Sequence, residues 1–118
     1  MTITLLGKPR STNGIYKNAV IKGFVHRYMS NEGKTLKESY QWQAKQQYKG
    51  KLIEGNIEVF IILYFGDKRK NDWDNFHKLS IDALTGIVWR DDSQIIKATV
   101  LKLYDKDKPR INIDIITL

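Results

Sequence analysis

Ile57-Glu58-Val59-Phe60-Ile61-Ile62-Leu63-Tyr64-Phe65 is the stretch that decides the fold. Its residues are nearly all β-branched, aromatic or leucine, and Gly55 and Gly66 bound it, so it predicts a central strand. Beyond Glu58 the run is apolar on both faces, and both faces are expected to be covered, by helix or by a second copy of the chain. Upstream, a short strand is predicted over Thr2–Leu6, followed by loop chemistry at 8–14 and a second extended piece over 23–28. Ser30 offers an N-cap, and 35–49, free of Pro and Gly, sets Leu36, Tyr40 and Ala44 at i, i+4 and i+8, which predicts a helix. Downstream come a basic loop at 66–71 and a helix over 74–85 stopped by Gly86. Strands over Ile95–Tyr104 and 110–118 follow, with 105–109 as the hairpin loop between them. The expectation is one α+β domain over 1–118: a small mixed β-sheet with two main helices, dimeric.

At 118 residues the chain can build one core but not two. A hydrophobic fraction of 42% excludes disorder. Without cysteine there is no disulfide, no Cys-ligated zinc and no thiolate nucleophile, which fits a reducing compartment, and the cytoplasm is the expected location. The longest apolar run, 59–65, is far short of the ~20 residues that cross a bilayer, and the N-terminus has no signal-peptide pattern. Neither a membrane partner nor secretion is expected. The net charge is +7, but residues 1–53 hold 10 basic and 2 acidic groups, a balance of +8, whereas 54–118 hold 10 and 11. Aromatic residues interleave the basic half, a combination that suits a phosphate backbone and also suits a merely well-dispersed basic domain.

Chemistry concentrates in Asn71-Asp72-Trp73-Asp74-Asn75-Phe76-His77-Lys78-Leu79-Ser80-Ile81-Asp82-Ala83-Leu84-Thr85-Gly86, followed by Trp89-Arg90-Asp91-Asp92. On a helix beginning at 74, Asp74, Thr85, Lys78, Asp82 and Asn75 fall at about 0, 20, 40, 80 and 100°, one polar stripe. Phe76, Leu79, Ser80, Ala83 and Leu84 take the opposite arc, the predicted core face. Asp72, two residues ahead, can turn its carboxylate toward the same end as Asp74. Two carboxylates ~4 Å apart repel by about 4 kcal/mol at an effective dielectric of roughly 20, a cost that a divalent cation reverses. Hard oxygen donors suit Mg²⁺, or Mn²⁺ in its place. An ordinary structural role is also open: either Asp can cap the helix and complement its dipole, worth ~1 kcal/mol, and one can cap while the other ligates.

Other acidic motifs fit poorly. In an EF-hand loop starting at Asp72, the fifth and sixth places would be Phe76 and His77, where oxygen and glycine are required. There is no P-loop, no G-x-S-x-G, no H-E-x-x-H and no G-x-G-x-x-G. His26 and His77 are isolated from one another and read as ordinary surface or satisfied residues.

The order basic loop, Asp72-x-Asp74-Asn75, Lys78, Asp82-Ala83-Leu84-Thr85-Gly86, Trp89-x-Asp91-Asp92 resembles the RusA-type Holliday junction resolvases, small dimeric Mg²⁺-dependent endonucleases common in phages and prophages. Pro9-Arg10-Ser11-Thr12-Asn13 is similar to the family's Pro-Pro-Ser-x-Asn, with Arg10 in place of the second proline. The resemblance extends over the whole chain and is weakest over 14–56. It implies that Asp72, Asp74 and Asp92 ligate metal, that Lys78 is a catalytic or phosphate-facing partner, and that Asp91 is a less essential neighbour; Asp82 and Asn75 are accessory candidates. Lys8, Arg10, Asn13, Lys17, Lys22, Arg27, Lys68, Arg69 and Lys70 are the candidate DNA contacts. The implied partners are a four-way junction and a second copy of the chain, with no small-molecule cofactor. Two other functions remain open: a non-catalytic basic nucleic-acid-binding module, and a less selective flap or fork nuclease.

Overall fold

The computed structural model describes residues 1–11, 16–68 and 76–118. Its elements are β1 (Thr2–Leu6), β2 (Tyr16–Ile21), β3 (Phe24–Met29), α1 (Asn31–Gln47), β4 (Ile57–Phe65), α2 (Lys78–Leu84), a single 3₁₀ turn (Asp92–Gln94), β5 (Ile95–Tyr104) and β6 (Arg110–Thr117). Four strands form one mixed sheet in the order β1-β6-β4-β5, and β2 and β3 form a separate two-stranded ribbon.

The strand predicted at Ile57–Phe65 is central. It pairs antiparallel with β6 on one side and parallel with β5 on the other. A parallel neighbour needs a crossover, and α2 supplies it. The segment 105–109 is therefore not a hairpin loop. β5 and β6 lie on opposite sides of β4, and the connection passes over the end of β4, where the Asp105 amide donates to the Phe65 carbonyl at 2.8 Å. Gly66 permits this close passage, since a Cβ there would sit 2.9 Å from Pro109 Cγ.

β4 alternates strictly: Ile57, Val59, Ile61, Leu63 and Phe65 are buried, while Phe60 on the other face is 37% exposed. The buried face meets Ile3, Leu5, Ile111, Ile113 and Ile115 of its sheet and, above them, Tyr40, Ala44, Leu79, Ala83, Leu84, Val88 and Trp89. Both helices lie on this one side. The expectation that both faces are covered thus fails within the single chain: the second face presents Phe60, Leu101, Leu103 and Ile116, each exposed.

α1 begins directly after Ser30, the predicted N-cap, four residues ahead of the Pro- and Gly-free run at 35–49, because Ser30 Oγ accepts from the Gly33 amide at 3.1 Å and fixes the first turn. Tyr40 and Ala44 enter the core one turn apart, as their spacing predicts. Gln43 and Gln47, also one turn apart, reach the outer edge of β1. The Thr4 amide donates to Gln47 Oε1 at 2.8 Å, and the Leu6 amide to Gln43 Oε1 at 2.7 Å. Two side-chain amides thus replace a neighbouring strand and protect that edge. α2 is shorter than predicted: it starts at Lys78, so Phe76 and His77 precede it, and Phe76 packs edge-on against Phe65 with centroids 5.0 Å apart. Asp74 and Asn75 lie outside the described residues. Of the polar stripe predicted for the helix, α2 itself retains Lys78 and Asp82, and its buried residues Leu79, Ser80, Ala83 and Leu84 are the predicted core arc.

Candidate active site

Trp89 anchors the turn that carries the acidic pair. Its side chain is fully buried, and the indole N–H donates to Thr85 Oγ1 at 2.9 Å, while Thr85 Oγ1 donates onward to the Ile81 carbonyl at 2.9 Å. The backbone is tied on both sides, with the Gly86 amide donating to the Trp89 carbonyl at 2.7 Å and the Ile53 amide to the Val88 carbonyl at 2.8 Å. Gln94 completes the frame. Its Nε2 donates to the carbonyls of Ile53 (2.9 Å) and Gly55 (2.7 Å), and its Oε1 accepts from the Asp91 amide at 2.8 Å. This clamp was not among the sequence candidates. Its signal was present in the three-residue spacing of Asp91 and Gln94, the pattern of a capping pair.

The two adjacent aspartates do different things. Asp91 accepts from Ser93 Oγ and so serves the turn. Asp92 is exposed and its carboxylate makes no hydrogen bond or ion pair with the described residues. A backbone tied by hydrogen bonds therefore presents one uncommitted carboxylate, a hard-oxygen donor of the kind that suits a divalent cation. Neighbouring Arg90 leaves it for Glu54, at 2.6 Å.

Lys78 heads α2 and pairs with Asp82 at 3.8 Å, one turn on. With Lys78 about half exposed, such a pair contributes only about 0.3–0.5 kcal/mol, so it holds the ammonium weakly. Asp72 and Asp74 lie outside the described residues, and among those described no three acids or histidines gather as a cation site.

Among the candidate DNA contacts, Lys8, Arg10, Lys22, Arg27 and Lys68 are exposed. Arg10 pairs with Glu32, and Lys68 stands 5.2 Å over the Tyr104 ring. Lys17 lies in β2, but its side chain, like Asn13, Arg69 and Lys70, falls outside the described set.

The sequence that builds this sheet and acidic turn has counterparts among known proteins. The family model Endodeoxyribonuclease RusA matches residues 7–116. The chain belongs to this family. The crossover junction endodeoxyribonuclease rusA of Enterobacteria phage 82 is 31% identical over 100 residues, covering 80% of this chain and 77% of the relative. The RusA match makes the chain an endodeoxyribonuclease, a hydrolase of phosphodiester bonds. A purely binding role is not favoured. Among the described residues no helix is long and apolar enough to cross a membrane.

Proposed function

We propose that this RusA-family nuclease resolves four-way DNA junctions by paired strand nicking in recombination and repair, using Mg²⁺, with Mn²⁺ as a substitute. The observation that carries the reading is the similarity to a crossover junction endodeoxyribonuclease over most of both chains. Asp72, Asp74 and Asp92 are the proposed ligands. When bound, the cation lowers the pKa of a coordinated water and offsets the charge that develops at phosphorus. Lys78, loosely held by Asp82, turns its ammonium to the same phosphoryl oxygens. Asp91 holds the turn that aims Asp92. Lys8, Arg10, Asn13, Lys17, Lys22, Arg27 and Lys68-Arg69-Lys70 bind the arms, and Asp82 and Asn75 are accessory.

The working unit proposed is a homodimer, because two symmetric strands call for two sites. The uncovered sheet face supports this. Its charges are already paired, Lys97 with Glu58 at 3.4 Å, Arg110 with Asp105 at 2.7 Å and the N-terminal ammonium with Asp114 at 3.4 Å, so it is a face on which two basic chains can meet without repulsion.

In the test, Asp72→Asn, Asp74→Asn or Asp92→Asn abolishes junction cleavage while junction binding survives; wild-type cleavage by any of the three contradicts the assignment. A second arm asks whether the three carboxylates come from one chain or from two copies. Mixing Asp72→Asn chains with Asp92→Asn chains separates these cases: restored nicking requires a site built from both copies, and continued inactivity places all three acids in one chain.

A further inference from the structure

The ribbon of β2 and β3 is anomalous in a small soluble domain. Its principal contacts are between its own two strands, and β3 is exposed along almost its whole length. An isolated two-stranded ribbon is marginal in water unless something covers it. Yet its outer half is its most apolar part: Val20 is 72% exposed, Ile21 53%, Phe24 72% and Val25 70%. The register sets Val20 opposite Val25 and Ile21 opposite Phe24. Successive pairs face opposite sides, so the tip is apolar on both faces. A ribbon meant to lie on a protein surface needs one apolar face only. An object apolar on both faces and one ribbon thick is shaped to enter a gap between two flat apolar surfaces.

Charge identifies the gap. No acidic residue occurs in 1–31, and the tip is turned by Lys22-Gly23, both at positive φ (52° and 81°), the two-residue turn that projects a twisted ribbon outward. Arg27 lies farther down β3 on the Val20 face. Cations beside an apolar wedge match a polyanion whose interior is made of flat rings. A second copy of this chain is the poorer occupant, because its first half repeats the same positive charge, while the neutral sheet face already suits that partner.

We infer that the β2–β3 ribbon is the element that reads branch structure: Phe24, Ile21, Val20 and Val25 enter between bases at the branch point while Lys22 and Arg27 hold flanking phosphates. The inference rests on the branched-DNA reading above. Unstacking a base step is costly in a continuous duplex, and a branch point has already lost that stacking, so a wedge is rewarded at a junction and penalised on linear DNA.

The test uses a four-way junction with 2-aminopurine beside the branch point, in EDTA so that nothing is cut, with the matching linear duplex alongside. Wild-type protein raises the fluorescence on the junction and binds it at least tenfold more tightly than the duplex. Phe24→Ala, and separately Val20→Ser with Val25→Ser, lose most of that rise and most of the tenfold preference, whereas Phe24→Leu keeps both. Duplex affinity moves less than twofold. An undiminished rise and preference in Phe24→Ala and in the double variant overturn the inference while leaving the junction reading intact. A change from dimer to monomer in sedimentation accompanying the loss also overturns it, by making the second copy the occupant. A wild type with no preference for the junction removes the branched-DNA reading itself, and the wedge with it.

Discussion

β4 and the β2–β3 ribbon are built from the same kind of residues and end in opposite environments. Ile57–Phe65 closes its alternate side chains under two helices, whereas Val20, Ile21, Phe24 and Val25 stand in solvent. Apolar composition says that a surface gains from being covered; it does not say by what. For β4 the covering elements are encoded nearby, in Tyr40 and Ala44 on α1 and Leu79, Ala83 and Leu84 on α2. For the ribbon, β2 and β3 chiefly contact each other among the described residues, and its own charge points outside the protein.

The contrast is open to direct attack, and the largest expected effect lies in the body. Trp89→Ala should cost about 3–5 kcal/mol, since it empties a fully buried site and removes the indole N–H bond to Thr85 Oγ1. Phe24→Ala should leave the apo protein's stability within about 0.5 kcal/mol of wild type. Denaturant melts of both decide the matter; a large loss from Phe24→Ala would mean that the ribbon is buried against something in the free protein.

The comparison sharpens at the acidic turn. Asp92→Asn should remove cleavage with little change in melting temperature. Asp91→Ala should lower stability by about 1 kcal/mol and cleavage by roughly 10–100-fold, as expected of a group that positions a ligand. Single-turnover rates beside melting curves distinguish the two. If Asp91→Ala proves as inactive as Asp92→Asn without loss of stability, their roles are reversed.

A smaller effect concerns affinity. Log K for junction DNA should fall with log salt at about −0.9 per neutralised phosphate, and replacing Lys68, Arg69 and Lys70 together with Ala should flatten that slope by up to roughly three units. An unchanged slope takes that loop off the DNA path.

The smallest effect is at Tyr40, whose hydroxyl is buried without a hydrogen-bond partner among the described residues and whose pKa is raised to about 12 by burial, against the opposing pull of Arg10. A raised pKa means that the folded state holds the proton more tightly. The contribution to stability is full below pH ~10 and is lost as pH climbs toward 12. Tyr40→Phe removes an unpaired hydroxyl, so it should be neutral or stabilising by about 1 kcal/mol near pH 7 and should blunt the alkaline loss. A clear destabilisation at pH 7 would show that the hydroxyl has a partner.

What could be read in advance follows the range of the interactions. β1, β4 and β5 match their predicted spans because composition and flanking glycines act locally, and Ser30 marks the start of α1 for the same reason. β2 went unread because its turn is Lys22-Gly23 rather than an asparagine-glycine pair, and nothing in 16–21 alternates toward a core. Pairing was illegible: two strands joined by five residues look like a hairpin, but β4 takes the place between β5 and β6 because its long apolar face needs neighbours on both sides. The Gln43 and Gln47 clamp on β1 joins residues about forty apart and leaves no local mark. At the site, the Asp91-Asp92 pair and its unequal members were expected from the sequence, but the bonds of Ser93 to Asp91 and of the Asp91 amide to Gln94 appear only in the structure.

The most direct measurement incubates the purified protein with a four-way junction, a fork and a linear duplex of matched sequence, each with Mg²⁺ and with EDTA. A metal-dependent junction nuclease cuts the four-way junction by paired, symmetric incisions in Mg²⁺, cuts the fork and duplex far more slowly, and cuts nothing in EDTA. Cleavage that persists in EDTA, or equal cleavage of all three substrates, would contradict it.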